Sequence, residues 1–144
     1  MIEEFIQGEE LTVGLVGNGN CLDCIGILRV VPMQPTEHFV YSLEVKRDWE
    51  KQVRYEAPPK LPADVLKATE AAAKQTFLAL GCRDLARVDF RIRDGVPYFL
   101  EINPLPGLNP DYSDMVILAG LMGISYETLI TRIVDASLKR HQLA

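Results

Sequence analysis

Two short runs in the last third of the chain carry residues able to hold a charged ligand. Arg87, Asp89 and Arg91 alternate with Val88, Phe90 and Ile92, and Glu101 and Asn103 alternate with Leu100 and Ile102. Side chains switch faces at each step along a strand, and residues paired across two strands share a face. The apolar positions of the two runs, Val88, Phe90, Ile92 and Tyr98, Leu100, Ile102, are all even-numbered. If both sets face one core, paired positions sum to an even number, so the loop between them holds an odd number of residues. A three-residue loop with Gly95 in the left-handed conformation meets that condition. The opposite face then gathers Asp89, Glu101, Asn103 and Arg87: two carboxylates, an amide oxygen and a guanidinium.

Two readings of that face stay open. One is the wet side of an antiparallel sheet, which is ordinarily polar. The other is a hard-cation site, because oxygen-only ligands suit Mg²⁺, which takes one or two carboxylates and completes its shell with phosphate and water. Arg87 beside them would bind a phosphate or a developing oxyanion. The exit from the second run fits the second reading. Pro104 and Pro106 stiffen the chain after Asn103, and Gly107 lets backbone approach a ligand closely.

These runs need elements to hold them. "ELTVGLVG", residues 10–17, alternates like a strand; "NGN" at 18–20 is a hairpin signal, and 22–31 returns as its partner. Residues 38–45 read as another strand, and 46–62 as a long polar connection of the kind that often carries function. An apolar stripe through Val65, Leu66, Ala73, Phe77 and Leu80 predicts a helix over 63–80, with Gly81 past its end. A short helix starts near Ser113 and ends before Gly123, and another runs from an N-cap at Ser125 to near Arg140. The order is that of an α+β fold: a mostly antiparallel sheet with packed helices, in a single domain over residues 1–144.

Composition narrows the function. The 144 residues are 48% hydrophobic and 24% charged, ordinary for a globular chain, and the net charge of −5 argues against a general nucleic-acid-binding surface. "MIEEFIQGEE" lacks the basic start of a signal peptide, and the apolar run 115–124 is too short to span a bilayer, so a soluble, cytoplasmic protein with no membrane partner is expected. Cys21 and Cys24 form a C-x-x-C on what reads as a return strand. A zinc site usually needs four ligands, to which only His38 and His141 could add nitrogen, and a redox motif would normally open a helix, so ordinary reduced thiols are expected.

"RVDFRIRDGVPYFLEINPLPGLNPDYSD" resembles the C-terminal core of an ATP-grasp enzyme, most closely the D-alanine–D-alanine ligase family. That family's signature has an Arg-x-Asp strand, a Glu-x-Asn strand, Pro-Gly and a serine-bearing loop. Arg87-Val88-Asp89, Glu101-Ile102-Asn103, Pro106-Gly107 and Ser113 occupy those places, and the resemblance covers nearly the whole chain. It implies the C-terminal lobe of an ATP-grasp fold and a carboxylate–amine ligase that works through an acyl phosphate in peptidoglycan biosynthesis. It also implies that Asp89, Glu101 and Asn103 hold two Mg²⁺ ions, or Mn²⁺ in their place, bridging ATP phosphates. Arg87 and Gly107 would stabilise the reacting species, with Ser113 near the substrate.

The same resemblance makes "EEFIQGEE" a hinge. Backbone near Glu4 and Phe5 would read adenine, Glu3 would accept from its amine, Glu10 would bind ribose, and Leu100 would pack on the base. Lys46 would contact a phosphate from the loop beginning "LEVKRD", in a positive run with Arg47, Lys51 and Arg54 that also reads as merely solvated. Arg47 stands where the ligases commonly have tyrosine, and the loop 104–112 slips by one position; both departures bear on which amino acids are the substrates. The family's N-terminal substrate domain and small ATP-grasp lobe are absent from these residues, so little or no catalysis is expected from the chain alone. A homodimer is implied because the ligases are commonly dimers. The competing class is a non-catalytic nucleotide-binding or dimerisation module, against which the oxygen set of Asp89, Glu101 and Asn103 argues.

Overall fold

The computed structural model describes residues 2–33 and 52–143. Its strands are β1 (Glu9–Val16), β2 (Asp23–Pro32), β3 (Val53–Glu56), β4 (Leu85–Arg93) and β5 (Val96–Asn103), with helices α1 (Ala63–Ala79), α2 (Asp114–Leu121) and α3 (Tyr126–Arg140). The strands form one sheet in the order β3-β2-β1-β4-β5, antiparallel at every pairing. The α+β expectation holds, and β1 and β4 lie at the centre. The strand expected over 38–45 lies outside the described residues. β3 falls within the stretch 46–62 that reads as connection, because four residues give too short an alternation to register.

Helices cover both faces. On one, Leu11, Val13 and Leu15 of β1 and Ala86, Val88 and Phe90 of β4 pack with Val65, Ala73 and Phe77 of α1. Burying a side chain such as Phe77, which is fully inaccessible, contributes roughly 1.5–3 kcal/mol. Leu80, expected on that stripe, is exposed past the helix end, where Gly81 turns the chain at a φ of 66°. On the other face Val16, Ile25, Leu28 and Leu85 meet Met115, Leu118 and Ala119 of α2 and Leu129 of α3. The two helices bend by 112° at the break between them, and Ser125 caps α3 by accepting from Thr128 N at 3.1 Å.

Gly14 and Gly26 are directly paired across β1 and β2. A Cβ at Gly14 would lie 2.9 Å from Leu118 Cδ2, and one at Gly26 would lie 2.7 Å from Met122 Cγ. Their missing side chains let α2 settle onto the sheet, next to Arg87, which pairs with Gly14 from the β4 side.

The hairpin of β4 and β5 departs from the expected parity. Arg93 pairs with Val96 around a two-residue turn, with Asp94 at φ 54° and Gly95 at φ 77°, not around a three-residue loop. The sums are therefore odd near the turn. A bulge then inserts Leu100 without a partner, and beyond it Asp89 faces Glu101 and Arg87 faces Asn103 with even sums. Unbroken alternation in β5 was the assumption that failed. Phe99, not Tyr98, meets Phe90, edge to face at 6.1 Å, and Tyr98 pairs with Arg91.

A polar clip closes the far end of the sheet. Asn18 Nδ2 donates to Asp84 Oδ1 at 2.8 Å, and Asp84 N donates back to Asn18 Oδ1 at 3.0 Å. Arg140 Nη2 at the end of α3 donates to Asp84 Oδ2 at 2.7 Å. That bond is the largest influence holding the Asp84 carboxyl below its usual range. An acid lowered on folding contributes stability that is present above its unfolded value of about 3.9 and is lost as pH falls through the lower folded value. Asp84→Asn should therefore lower the urea midpoint at pH 7, and its gap from wild type should close as pH drops below about 4. A gap independent of pH would contradict this.

Candidate functional site

The register of β1, β4 and β5 lays the polar face out in three rows. Glu10, Arg91 and Tyr98 form one; Thr12, Asp89 and Glu101 the next; Gly14, Arg87 and Asn103 the third, beside α2. Directly opposed residues in an antiparallel pair have Cα atoms about 4.5–5.5 Å apart. Asp89, Glu101, Asn103 and Arg87 therefore converge as the sequence expects.

Arg87 is the hub. Its Nη2 lies 2.9 Å from Asp89 Oδ2 and 3.3 Å from Glu101 Oε1, and its Nε also donates to Asp89. Its Nη1 reaches Asp114 Oδ2 at 3.2 Å. The guanidinium side chain is only 11% exposed, and its carboxylate neighbours raise its pKa against the opposing effect of burial. Asp89 also accepts from Thr12 Oγ1 at 2.9 Å. Burial nonetheless pushes its carboxyl above the ordinary range, helped by the nearby charge of Glu101 and opposed by Arg87 and Thr12. Glu101 is 63% exposed and faces outward from this buried pair.

The donor set fits a hard cation that brings other ligands with it. Among the described residues no three His, Cys, Asp or Glu side chains form an enclosing group. Asp89 and Glu101 stand on paired positions with an amide oxygen one row away, which is the number of protein ligands Mg²⁺ uses when phosphate and water supply the rest. A cation between Asp89 and Glu101 would favour the charged carboxylate against the burial, and the smaller effect of the Glu101 charge, that raise Asp89. Asn103 Oδ1 accepts from Leu105 N at 3.0 Å, so the amide also organises the turn through Pro104, and its second lone pair remains for a ligand.

The serine loop closes against this corner. Ser113 is buried, and its Oγ accepts from Asn109 N at 2.9 Å. A Cβ on Gly107 would lie 2.8 Å from that Oγ, so the two expected catalytic positions touch, and only glycine fits. Gly107 itself is exposed.

The expected hinge lies along the row of Arg91. Gly8, at φ 146°, presses onto β4 so closely that a Cβ would lie 1.9 Å from Ile92 O. Arg91 Nη1 donates to Gly8 O at 3.0 Å, its Nη2 lies 2.9 Å from Glu10 Oε2, and its guanidinium stands 5.3 Å from the Phe5 ring centroid. Arg93 holds Glu4 at 2.7 Å and stacks on Tyr98. Glu3 is exposed. Leu100, expected among the core-facing positions and also against adenine, is 44% exposed at the bulge and stands outside the core. Lys46 lies outside the described residues, as do Arg47 and Lys51; Arg54 pairs with Glu56.

Sequence reasoning missed Thr12, Tyr55, Asp114 and the organising part of Arg91. Alternation along β1 puts Thr12 on the same polar face as Asp89, so it was within reach of the same parity argument. Tyr55 and Asp114 meet the site only through tertiary packing. A separate cleft of about 360 Å³ lies by Asn18, Asp23, Arg132 and Lys139, at the clip end of the sheet. Its Arg132 is held by Asp23 and its Arg140 by Asp84. Cys21, Cys24 and Cys82 are free thiols; burial pushes Cys24 up to about 11, which leaves it inert.

A family profile described as "D-ala D-ala ligase C-terminus" matches residues 1–135. A D-alanine–D-alanine ligase of Ralstonia pickettii is 35% identical over 98% of this chain and 42% of its own length. The corresponding protein of Desulforamulus reducens is 32% identical over 97% of this chain and 43% of its own. The crystal structure of the Bacillus anthracis ligase complexed with ATP superposes with a TM-score of 0.74 at 28% identity, covering 97% of this chain and 41% of that one. The chain thus spans about two fifths of the length of these relatives.

Thr12 gives the geometry of this face a direct check. In metal-free protein the Asp89 carboxyl carbon, followed by NMR, should titrate above the ordinary value of about 3.9. Thr12→Val should move it higher still, because the lost hydroxyl favoured the charged form. Titration at or below the ordinary value would show that the Asp89 environment is wrongly described.

Proposed function

The chain belongs to the D-alanine–D-alanine ligase C-terminal family, and from that premise we propose that it supplies the nucleotide- and magnesium-binding face of an ATP-dependent carboxylate–amine ligase. The observation that carries the proposal is the convergence of Asp89 and Glu101 on one buried guanidinium, on strands whose register aims them at a common point.

In this reading Asp89, Glu101 and Asn103 hold Mg²⁺, two ions in the full site, with Mn²⁺ able to replace them. Bound there, magnesium would neutralise charge on the phosphate oxygens of ATP. Arg87 presents its remaining Nη1 N–H, and the Nη2 N–H that Glu101 releases to a cation, to the transferred phosphoryl group and to the oxyanion formed when the amine attacks. Gly107 offers backbone to the same species, and the Ser113 hydroxyl still has its proton to donate. Glu10, Phe5 and the backbone at Glu4 form the nucleoside end, with Arg91 as their anchor, and Leu100 offers apolar surface to the base. The substrates are amino acids, with D-alanine proposed by analogy with the named relatives. Because Arg87 and Asp89 are held before any ligand arrives, catalysis in the complete enzyme rests largely on positioning and fixed charge.

Calorimetry with a non-hydrolysable Mg·ATP analogue tests this on the chain itself. Binding should need Mg²⁺ and should weaken at least tenfold in Glu101→Ala, a substitution at an exposed side chain that leaves the fold intact. Binding that ignores either Mg²⁺ or the substitution would remove the sheet face from the proposal.

A further inference from the structure

Arg87 is held from a direction that neither metal-ligand candidate supplies. Asp114, at the first residue of α2, is 9% exposed and accepts from Arg87 Nη1 through Oδ2 at 3.2 Å. Its other oxygen, Oδ1, accepts from the Tyr55 hydroxyl of β3, also at 3.2 Å. The contact spans the sheet: Tyr55 stands on an edge strand and Arg87 on a central one, and their connection passes through a helix N-terminus.

We propose that Asp114 and Tyr55 are positioning residues that fix the plane of the Arg87 guanidinium for an anionic phosphate ligand. The inference rests on the reading of the sheet face as a phosphate site. Asp89 takes the Nε–Nη2 edge of Arg87. When Asp89 and Glu101 turn oxygens toward a cation, their hold on that edge slackens, and the guanidinium becomes free to rotate about its terminal bonds. Asp114 grips the opposite nitrogen and is not among the proposed metal ligands, so its hold persists. Tyr55 donates to the Asp114 oxygen that does not face Arg87, which keeps that carboxylate from swinging away.

Coulomb's law alone makes the opposite prediction. Asp114 is a negative charge beside a site for a more negative ligand, so its neutralisation should tighten anion binding. Positioning predicts a loss. Inorganic triphosphate with Mg²⁺ serves as the probe, titrated by calorimetry into the full chain. Asp114→Asn should weaken binding roughly tenfold, the effect of one charge-assisted hydrogen bond, and Tyr55→Phe, which changes no charge, roughly threefold. Nitrogen NMR of the Arg87 side chain supplies a second readout. With Mg²⁺ present, so that Asp89 no longer holds the guanidinium by itself, the wild-type Nη resonances should be separate, showing hindered rotation, and they should average in both variants.

Tighter or unchanged triphosphate binding by Asp114→Asn overturns the inference, and so do identical Arg87 resonances in all three proteins. If Asp114→Asn fails to fold, Tyr55→Phe decides by the same two measurements. Failure of the wild type to bind triphosphate would count against the reading of the sheet face, and the Arg87 resonances would still decide whether Asp114 and Tyr55 hold the guanidinium.

Discussion

The guanidinium of Arg87 cannot be left unpaired where it stands. With 11% of its side chain exposed it would lose several kcal/mol of hydration without close partners, and breaking a pair in such a setting typically costs about 3–5 kcal/mol. The structure meets that constraint with carboxylates from three elements: Asp89 two residues along β4, Glu101 across on β5, and Asp114 on α2. The register of β5, the position of α2 and the route of the serine loop are therefore not independent features. Each must be right for the one buried cation to be paired, and because the three carboxylates outnumber it they leave a negatively charged face open at its Glu101 side.

Two pieces of steric economy make this possible. The opposed glycines Gly14 and Gly26 remove the side chains that would hold α2 off the sheet, so the helix brings Ser113 and Asp114 to the row of Arg87. Gly8 does the same for the N-terminal segment, which presses on β4 at Ile92 and is gathered by Arg91. The polar face is thus bounded by α2 at one end and by residues 2–8 at the other. What lies between is a strip of alternating acid and guanidinium about three residue rows long.

Much of this was legible in the sequence, for physical reasons. Parity along β4 separates Arg87, Asp89 and Arg91 from Val88, Phe90 and Ile92 whatever the partner strand does. Glu101 and Asn103 share a face for the same reason, and Gly81 and Ser125 announced helix ends that the structure has. The bulge at Leu100 was not legible, because an inserted residue leaves the run of apolar side chains looking continuous. It corrects the odd register of a two-residue turn, so the expected pairing at the site was right while the expected loop and the facing of Tyr98 were not. Asp114 and Tyr55 were hidden for a different reason. Nothing local relates positions 59 residues apart, and only the packing of α2 over the sheet joins them.

Burial divides the labour between the two carboxylates that face each other. Asp89 is sheltered and held by two donors, whereas Glu101 is exposed and held by one long contact. Such a pair suits a cation that must arrive with its nucleotide and leave with it: one ligand is fixed in advance and the other is free to move. Mn²⁺ added with a non-hydrolysable ATP analogue makes this visible, because it broadens NMR signals near its own position. The account predicts that broadening is strongest at Asp89, Glu101 and Asn103 and spares the cleft by Asp23 and Arg132. Broadening centred on that cleft, with the sheet face untouched, would contradict it.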